Sequence, residues 1–212
     1  IKHVLGLLHP NRGKVRVEGS DLAELNDEGL NALRRRMSVV LQGALPFTCG
    51  LFYSMNVYEN IAAPLRDRTS WPEERIRAVT LEHLAMVGLR ERAEAMPADL
   101  SAGMAKRTAI ARALALDSRI VIIDDFDSGI DGVRLALLCD LLKEVQAESG
   151  ATFFVSTHDM SAARDLADHA AVINAGRILA SGPAEEVFGS EDAAVHQLVT
   201  GELEGPIRLA DT

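Results

Sequence analysis

The sequence predicts an α/β fold, a parallel sheet interrupted by a helical insert, and three observations carry that prediction. Met37-Ser38-Val39-Val40-Leu41 and Ile120-Val121-Ile122-Ile123 are short apolar runs without polar alternation, as expected of strands covered on both faces. After Asp117, strand-like runs alternate with amphipathic helical patterns, the order of a parallel sheet with crossover helices. Between residues 54 and 116 the pattern is helical almost throughout.

The elements follow in order. Ile1, Val4, Leu5 and Leu8 have the spacing of one helix face, with Pro10 and Gly13 as stops. Lys14 to Gly19 alternates with period two and reads as a half-exposed strand ending in a turn. A short helix carries Leu30 and Leu33, and Arg34-Arg35-Arg36 reads as its solvated end. The strand Met37 to Leu41 places Gln42 at its C-terminal end, and loop residues run to Leu51. Asn56 with Glu59 predicts one helix start, and Ser70-Trp71-Pro72-Glu73 another with Ser70 as cap. That second helix closes at Gly88, and Met86 and Met96 read as packing residues. Ile120 to Ile123 is the central strand, the helix through Leu135 to Val145 stops at Gly150, and Thr152 to Ser156 is the next buried strand. A helix near Ala162 to Ala167 leads into Ala170 to Ile173, and Asn174-Ala175-Gly176 turns the chain into a hairpin with Arg177 to Ala180.

Composition narrows the function. Lys and Arg number 22 against 31 Asp and Glu, a formal net charge of −9, which argues against a nucleic-acid partner held through phosphates. At 48% hydrophobic residues, spread evenly, the chain is not a disordered one. Cys49 and Cys139 match no metal spacing and predict a reduced, cytosolic compartment. No apolar run reaches the ~18–20 residues that span a bilayer. The start, Ile1-Lys2-His3-Val4, lacks both signal-peptide grammar and an initiator Met.

Ligands of open α/β sheets sit beyond the carboxyl ends of the strands. Three strands end there in polar residues: Gln42, Asp124-Asp125 and Thr157-His158. A rigid apolar strand ending in carboxylates suits Mg²⁺, which needs oxygen ligands, and the adjacent carboxylate can polarise a water. A histidine one strand over can touch a transferring phosphate. Leu100-Ser101-Ala102-Gly103-Met104 opens a helix with a capping serine and small residues, where an anion can approach free N–H groups. Each of these segments alone has a plainer reading: a strand-end Asp, a hydrogen-bonded His, a solvated Gln, an ordinary capped helix.

Together, their order and spacing resemble the nucleotide-binding subunits of ABC transporters over nearly the whole chain. Leu100 to Met104 is similar to the signature loop, with Ala102 in place of the usual Gly and Met104 in place of Gln. Ile120 to Asp124 resembles the Walker B strand, Ser128-Gly129-Ile130-Asp131 the D-loop, Thr157-His158-Asp159 the switch-histidine segment, and Gln42 the Q-loop glutamine. Phe52 to Asn60, Leu84 to Leu89, the Met of the signature loop, Asp127-Ser128-Gly129 and the tail Gly201 to Ile207 resemble the Mla/Mce lipid-transport subgroup.

The resemblance implies a P-loop NTPase (RecA-like) parallel sheet with an ABC helical subdomain. Residues 1–53 would form a partial core with the Q-loop, 54–116 the helical subdomain ending in the signature motif and its helix, 117–190 the core with Walker B, D-loop and switch His, and 191–212 a C-terminal tail. It implies ATP and Mg²⁺ as cofactors, a second nucleotide-binding subunit in a head-to-tail homodimer, and a separate integral-membrane permease. The place would be peripheral, on the cytoplasmic face of the inner or plasma membrane, and the work transport, of lipid in the subgroup. In that scheme Asp124 holds Mg²⁺, Gln42 senses metal and water, Asp125 polarises the attacking water and His158 contacts the γ-phosphate. Ser101, Ala102, Gly103 and Met104 face the nucleotide of the opposite subunit, and Ser128, Gly129 and Asp131 line the junction between the sites.

Two departures qualify the expectation. No G-x-x-x-x-G-K-[ST] phosphate loop occurs in the 212 residues, nor the strand beneath it, so the chain is expected to begin just after that loop and to bind ATP poorly alone. The family's catalytic Glu is Asp125 here and the following Pro is Phe126; a carboxylate one methylene back predicts slower hydrolysis. Extra residues at roughly 46–50 also depart from the subgroup. The rival expectations are a catalytically degenerate subunit with only an interaction role, and a soluble ABC ATPase outside transport.

Overall fold

The computed structural model describes residues 1–41 and 49–208. Its centre is a parallel sheet of β3 (Met37–Val40), β4 (Ile120–Ile123) and β5 (Thr152–Val155), with β4 in the middle. Met37 pairs with Ile120, and Ile120 with Thr152, so the three strands run in step and end together. Because successive side chains point to opposite faces, β4 feeds two cores. Ile122 packs with Leu5, Val17, Leu22, Leu33 and Met37 on one face. Val121 and Ile123 pack on the other against the helical insert. This double burial explains why Ile120 to Ile123 carries no polar alternation.

The insert is α2 (Val57–Arg68), α3 (Glu73–Met86) and α4 (Ala102–Ala115), which bury Ile61, Leu65, Ile76, Leu84 and Ile110 among themselves. Arg66 clasps Glu59 at 2.5 Å and Glu73 at 2.7 Å, fastening α2 to the first turn of α3. Asn60 is buried, donating to the carbonyls of Phe52, Met55 and Asn56 and accepting from the Phe52 N–H at 2.7 Å, which pins residues 52–56 to α2. Ahead of the sheet lie the hairpin β1 (Arg16–Val17) with β2 (Ser20–Asp21) and the helix α1 (Asp27–Arg34), capped by Asn26. After β4 come α5 (Gly132–Ser149) and α6 (Met160–Leu166). The antiparallel hairpin β6 (His169–Asn174) with β7 (Arg177–Pro183), α7 (Ala184–Phe188) and α8 (Ala193–Thr200) follow. Among the described residues no helix is long and apolar enough to cross a membrane.

Several sequence expectations are corrected. The opening residues form one helical turn, not a helix running to Pro10: Gly6, at φ 63°, closes it, with Gly6 N–H to His3 O and Leu7 N–H to Lys2 O. Those paired bonds are a Schellman stop. Leu8 consequently lies exposed. Arg34 is not a solvated helix end; it donates to the carbonyls of Leu5 and Gly6 at 3.1 and 3.0 Å and so caps that turn. Arg36 pairs with Glu18. The α3 cap is Pro72 without a side-chain bond, and Ser70 plays no capping part. Met86 and Met96 are partly exposed instead of packed inside. The strand β5, expected to be buried, is the edge of its described sheet, and Phe154 is 47% exposed. The hairpin β6–β7 forms a sheet of its own among the described residues, with a bulge opposite Val172 and Ile173.

Candidate functional site

Since β3, β4 and β5 end in register, the residues after them share one rim. Gln42 lies outside the described residues. Asp124 continues β4, and its N–H donates to Val40 O at 2.8 Å, which keeps it in line with the sheet. Ser156, just past β5, joins both carboxylate residues: its hydroxyl donates to Asp124 Oδ1 at 2.6 Å and accepts from the Asp125 N–H at 2.9 Å. Asp125 has φ 57°, a conformation that side chains with a Cβ seldom adopt. Lys106, from α4, donates through Nζ to the Asp125 carbonyl oxygen and to that of Asp124 at 3.4 Å.

His158 stands on the same rim with its side chain exposed, and Asp127 holds its segment. Asp127 Oδ1 accepts from the Thr157 hydroxyl and from the His158 N–H at 3.0 Å. Burial works against ionisation of Asp127, but the Thr157 hydroxyl and the His158 N–H outweigh it and hold its carboxyl below the usual range. A carboxyl depressed in the folded state stabilises the fold fully above its unfolded value of about 3.9, and loses that contribution as pH falls through the lower folded value. Asp127→Asn is therefore expected to flatten the acid limb of the stability curve below about pH 4, measured by urea unfolding at stepped pH. An unchanged acid limb would show that Asp127 contributes nothing there.

The Ser101 turn lies at the start of α4. Ser101 is exposed and caps the helix, its hydroxyl accepting from the Met104 N–H at 3.3 Å. Ala102 and Gly103 press on the segment after β4: a Cβ built on Gly103 would stand 2.6 Å from the Gly129 carbonyl oxygen. Met104 packs its side chain against the main apolar cluster. Ser128 is exposed, its N–H donating to Asp125 O at 3.3 Å. Asp131 is exposed and caps α5, accepting from the Arg134 N–H and pairing with the Arg134 guanidinium, chiefly the latter lowering its carboxyl's pKa.

The structure thus links Asp124, Asp125, Asp127 and the 156–158 segment in one hydrogen-bonded rim, and brings the Ser101 turn against Gly129. Lys106 joins the two groups. No three Asp, Glu, His or Cys side chains gather into a metal cage among the described residues. Mg²⁺ usually takes one or two carboxylates with waters and substrate phosphates. A single carboxylate anchored by Ser156 at the end of a rigid strand fits that requirement. Sequence reasoning missed Lys106, Ser156 and Asp127 as partners of the site. For Asp127 the available signal was its place in Asp127-Ser128-Gly129, and for Lys106 its charge five residues past the cap in a helix rich in alanine.

Residues 1–128 match the family model described as ABC transporter. The chain belongs to the ABC transporter family. The ABC chain is 36% identical over 211 residues to the "Probable ribonucleotide transport ATP-binding protein mkl" of Mycobacterium tuberculosis, a match covering 100% of the chain and 57% of mkl. It is 34% identical over 209 residues to the "Intermembrane phospholipid transport system ATP-binding protein MlaF" of Haemophilus influenzae, covering 99% of the chain and 77% of MlaF. Two solved ABC cassettes share its P-loop NTPase fold. The dimeric post-hydrolysis ATP-binding cassette MJ0796, bound to ADP and Pi, superposes with a TM-score of 0.77 at 28% identity, over 86% of this chain and 78% of that one. The chain cbiO1 from Clostridium perfringens, part of the transporter complex cbiONQ, superposes with a TM-score of 0.74 at 26% identity, over 92% and 76%. The ABC chain spans little more than half the length of its mycobacterial relatives, 57%.

Proposed function

We propose that this chain is the ATP-hydrolysing part of an ABC transporter that moves lipid through a separate membrane permease. The observation that carries the reading is the rim itself: Asp124 and Asp125 at the end of β4, joined by hydrogen bonds to the segment bearing His158. Its relatives add the class of work, since one is named for intermembrane phospholipid transport. Asp124 would hold Mg²⁺, which spreads the charge developing on the transferred phosphoryl group. Gln42 is assigned to sensing that metal and the attacking water. Asp125 orients and polarises the water, and His158 reaches the γ-phosphate. Ser101, Ala102, Gly103 and Met104, at the positive end of α4, face the nucleotide of a second copy of the chain. Ser128, Gly129 and Asp131 border the junction between the two sites.

The permease partner and a peripheral place on the cytoplasmic face of the membrane belong to the same proposal. So does weak ATP binding by these 212 residues alone, which contain no phosphate-loop motif. The test is ATP hydrolysis by the full-length protein with its copurifying membrane subunit. Asp125→Glu, which moves the carboxylate one methylene toward the water, is expected to raise kcat about tenfold, the gain from a lowering of about 1.4 kcal/mol in the barrier. An unchanged rate would remove Asp125 from the role. Hydrolysis stimulated by nucleic acid, without a membrane subunit, would favour a non-transport ABC ATPase.

A further inference from the structure

Lys106 is 3% exposed, and a lysine this deeply buried is rare unless something holds it. Its holders are main-chain oxygens: Nζ donates to the carbonyls of Asp125 and Asp124. Asp125 meanwhile sits at φ 57°, a strained setting that persists only where the surroundings dictate it. Those surroundings are identifiable. The Asp125 N–H is taken by the Ser156 hydroxyl from the end of β5, its carbonyl by Lys106 from α4, and the next N–H, of Phe126, by Ser156 O at 2.9 Å. The residue is gripped on one side by the sheet and on the other by the insert.

We infer that Lys106 is a positioning residue for Asp125, and that it ties the orientation of this carboxylate to the helix carrying the Ser101 turn. The inference rests on the reading of Asp125 as the group that orients water. Lys106 lies five residues past the Ser101 cap, about 7.5 Å along the helix axis. A displacement of α4 along or across the sheet moves Nζ, and with it the Asp125 carbonyl and the direction of its side chain. Engagement of the Ser101 turn by a second subunit's nucleotide is thereby felt at Asp125 of the same protomer, so each site reports its closure to the other.

The experiment uses the full-length protein and two variants. Lys106→Met keeps the stem and removes the donor; Lys106→Gln keeps one donor on a shorter stem. Hydrogen exchange followed by mass spectrometry is expected to show the amides of residues 125–128 about tenfold less protected in the methionine variant, with α2 and α3 unchanged. ATP hydrolysis is expected to fall about tenfold in kcat with KM for ATP within about twofold, the pattern of a lost transition-state arrangement. The glutamine variant should lie between parent and methionine variant in both measurements. In an Asp125→Asn background, Lys106→Met should lower kcat no further, because the group it positions is already gone.

Parent-like exchange at 125–128, local loss of protection with kcat unaffected, exchange raised evenly across the insert, or losses additive with Asp125→Asn would each overturn the inference. If the methionine variant does not fold, the glutamine variant decides by the same two readouts. A parent protein that hydrolyses no ATP would sink the proposed function; the exchange pattern would still show whether Lys106 holds the turn.

Discussion

Replacing Phe126 with alanine is expected to destabilise the protein by about 3–5 kcal/mol, the range for emptying a buried aromatic site. Phe126 is 0% exposed and packs within the cluster that joins β4 to the helical insert. Its N–H is also held, by Ser156 O. The ring therefore anchors the chain immediately after the strained Asp125, where the strand breaks into the turn leading to Asp127. Alanine leaves a cavity inside that cluster, and a packed interior relaxes only partly around one. Phe126→Leu, which keeps most of the volume, should cost less than about 1.5 kcal/mol. Urea unfolding measures both, as a fall in midpoint with an unchanged slope. A loss under about 1 kcal/mol for alanine would show that the site collapses, contrary to its packing.

Gly103→Ala carries the second large effect. The added Cβ would stand 2.6 Å from the Gly129 carbonyl oxygen, a contact with backbone that no rotamer can relieve. The first turn of α4 and the segment after β4 must move apart, at a cost of about 1–3 kcal/mol. ATP hydrolysis should fall more than stability, because Ser101 and Gly103 are displaced together. Gly132→Ala is the control. Its Cβ meets nothing within 4 Å at the start of α5, and the residue sits in helical conformation. That variant should be neutral or gain up to about 1 kcal/mol from helix propensity. Equal losses in the two variants would mean that close approach to Gly129 is not what Gly103 supplies.

Much of the architecture was legible residue by residue. Asn56 caps α2 and Ser101 caps α4, and these are signals written within one turn of the helix they start. Ile120 to Ile123 was readable as a central strand because burial on both faces removes polar alternation. Where reading failed, a competing partner was responsible. The opening helix face stopped at Gly6 because a Schellman stop and the Arg34 clasp outweighed four apolar residues. Thr152 to Val155 has a core-like composition, yet it lies at a sheet edge, and composition does not say which edge is covered. Of the candidate site, the segments 101–104, 124–131 and 157–158 were found from order and spacing. Their cross-links were not.

By itself, the sequence determined the element order, the caps of α2 and α4, the central strand and the segments of the candidate site, since each is encoded over a few neighbouring residues. Tertiary structure alone decided that Lys106 is buried beneath Asp125, that Ser156 bridges two carboxylate residues, that Asp127 holds the His158 segment and that Gly103 touches Gly129. The physical reason is distance along the chain: the Lys106, Ser156 and Thr157 contacts join residues 18 to 32 positions apart, where no local periodicity reaches. Parallel pairing of β4 with β5 brings Ser156 and Thr157 to their acceptors, and packing α4 against the sheet brings Lys106 to its own; partial burial then makes each bond costly to lose.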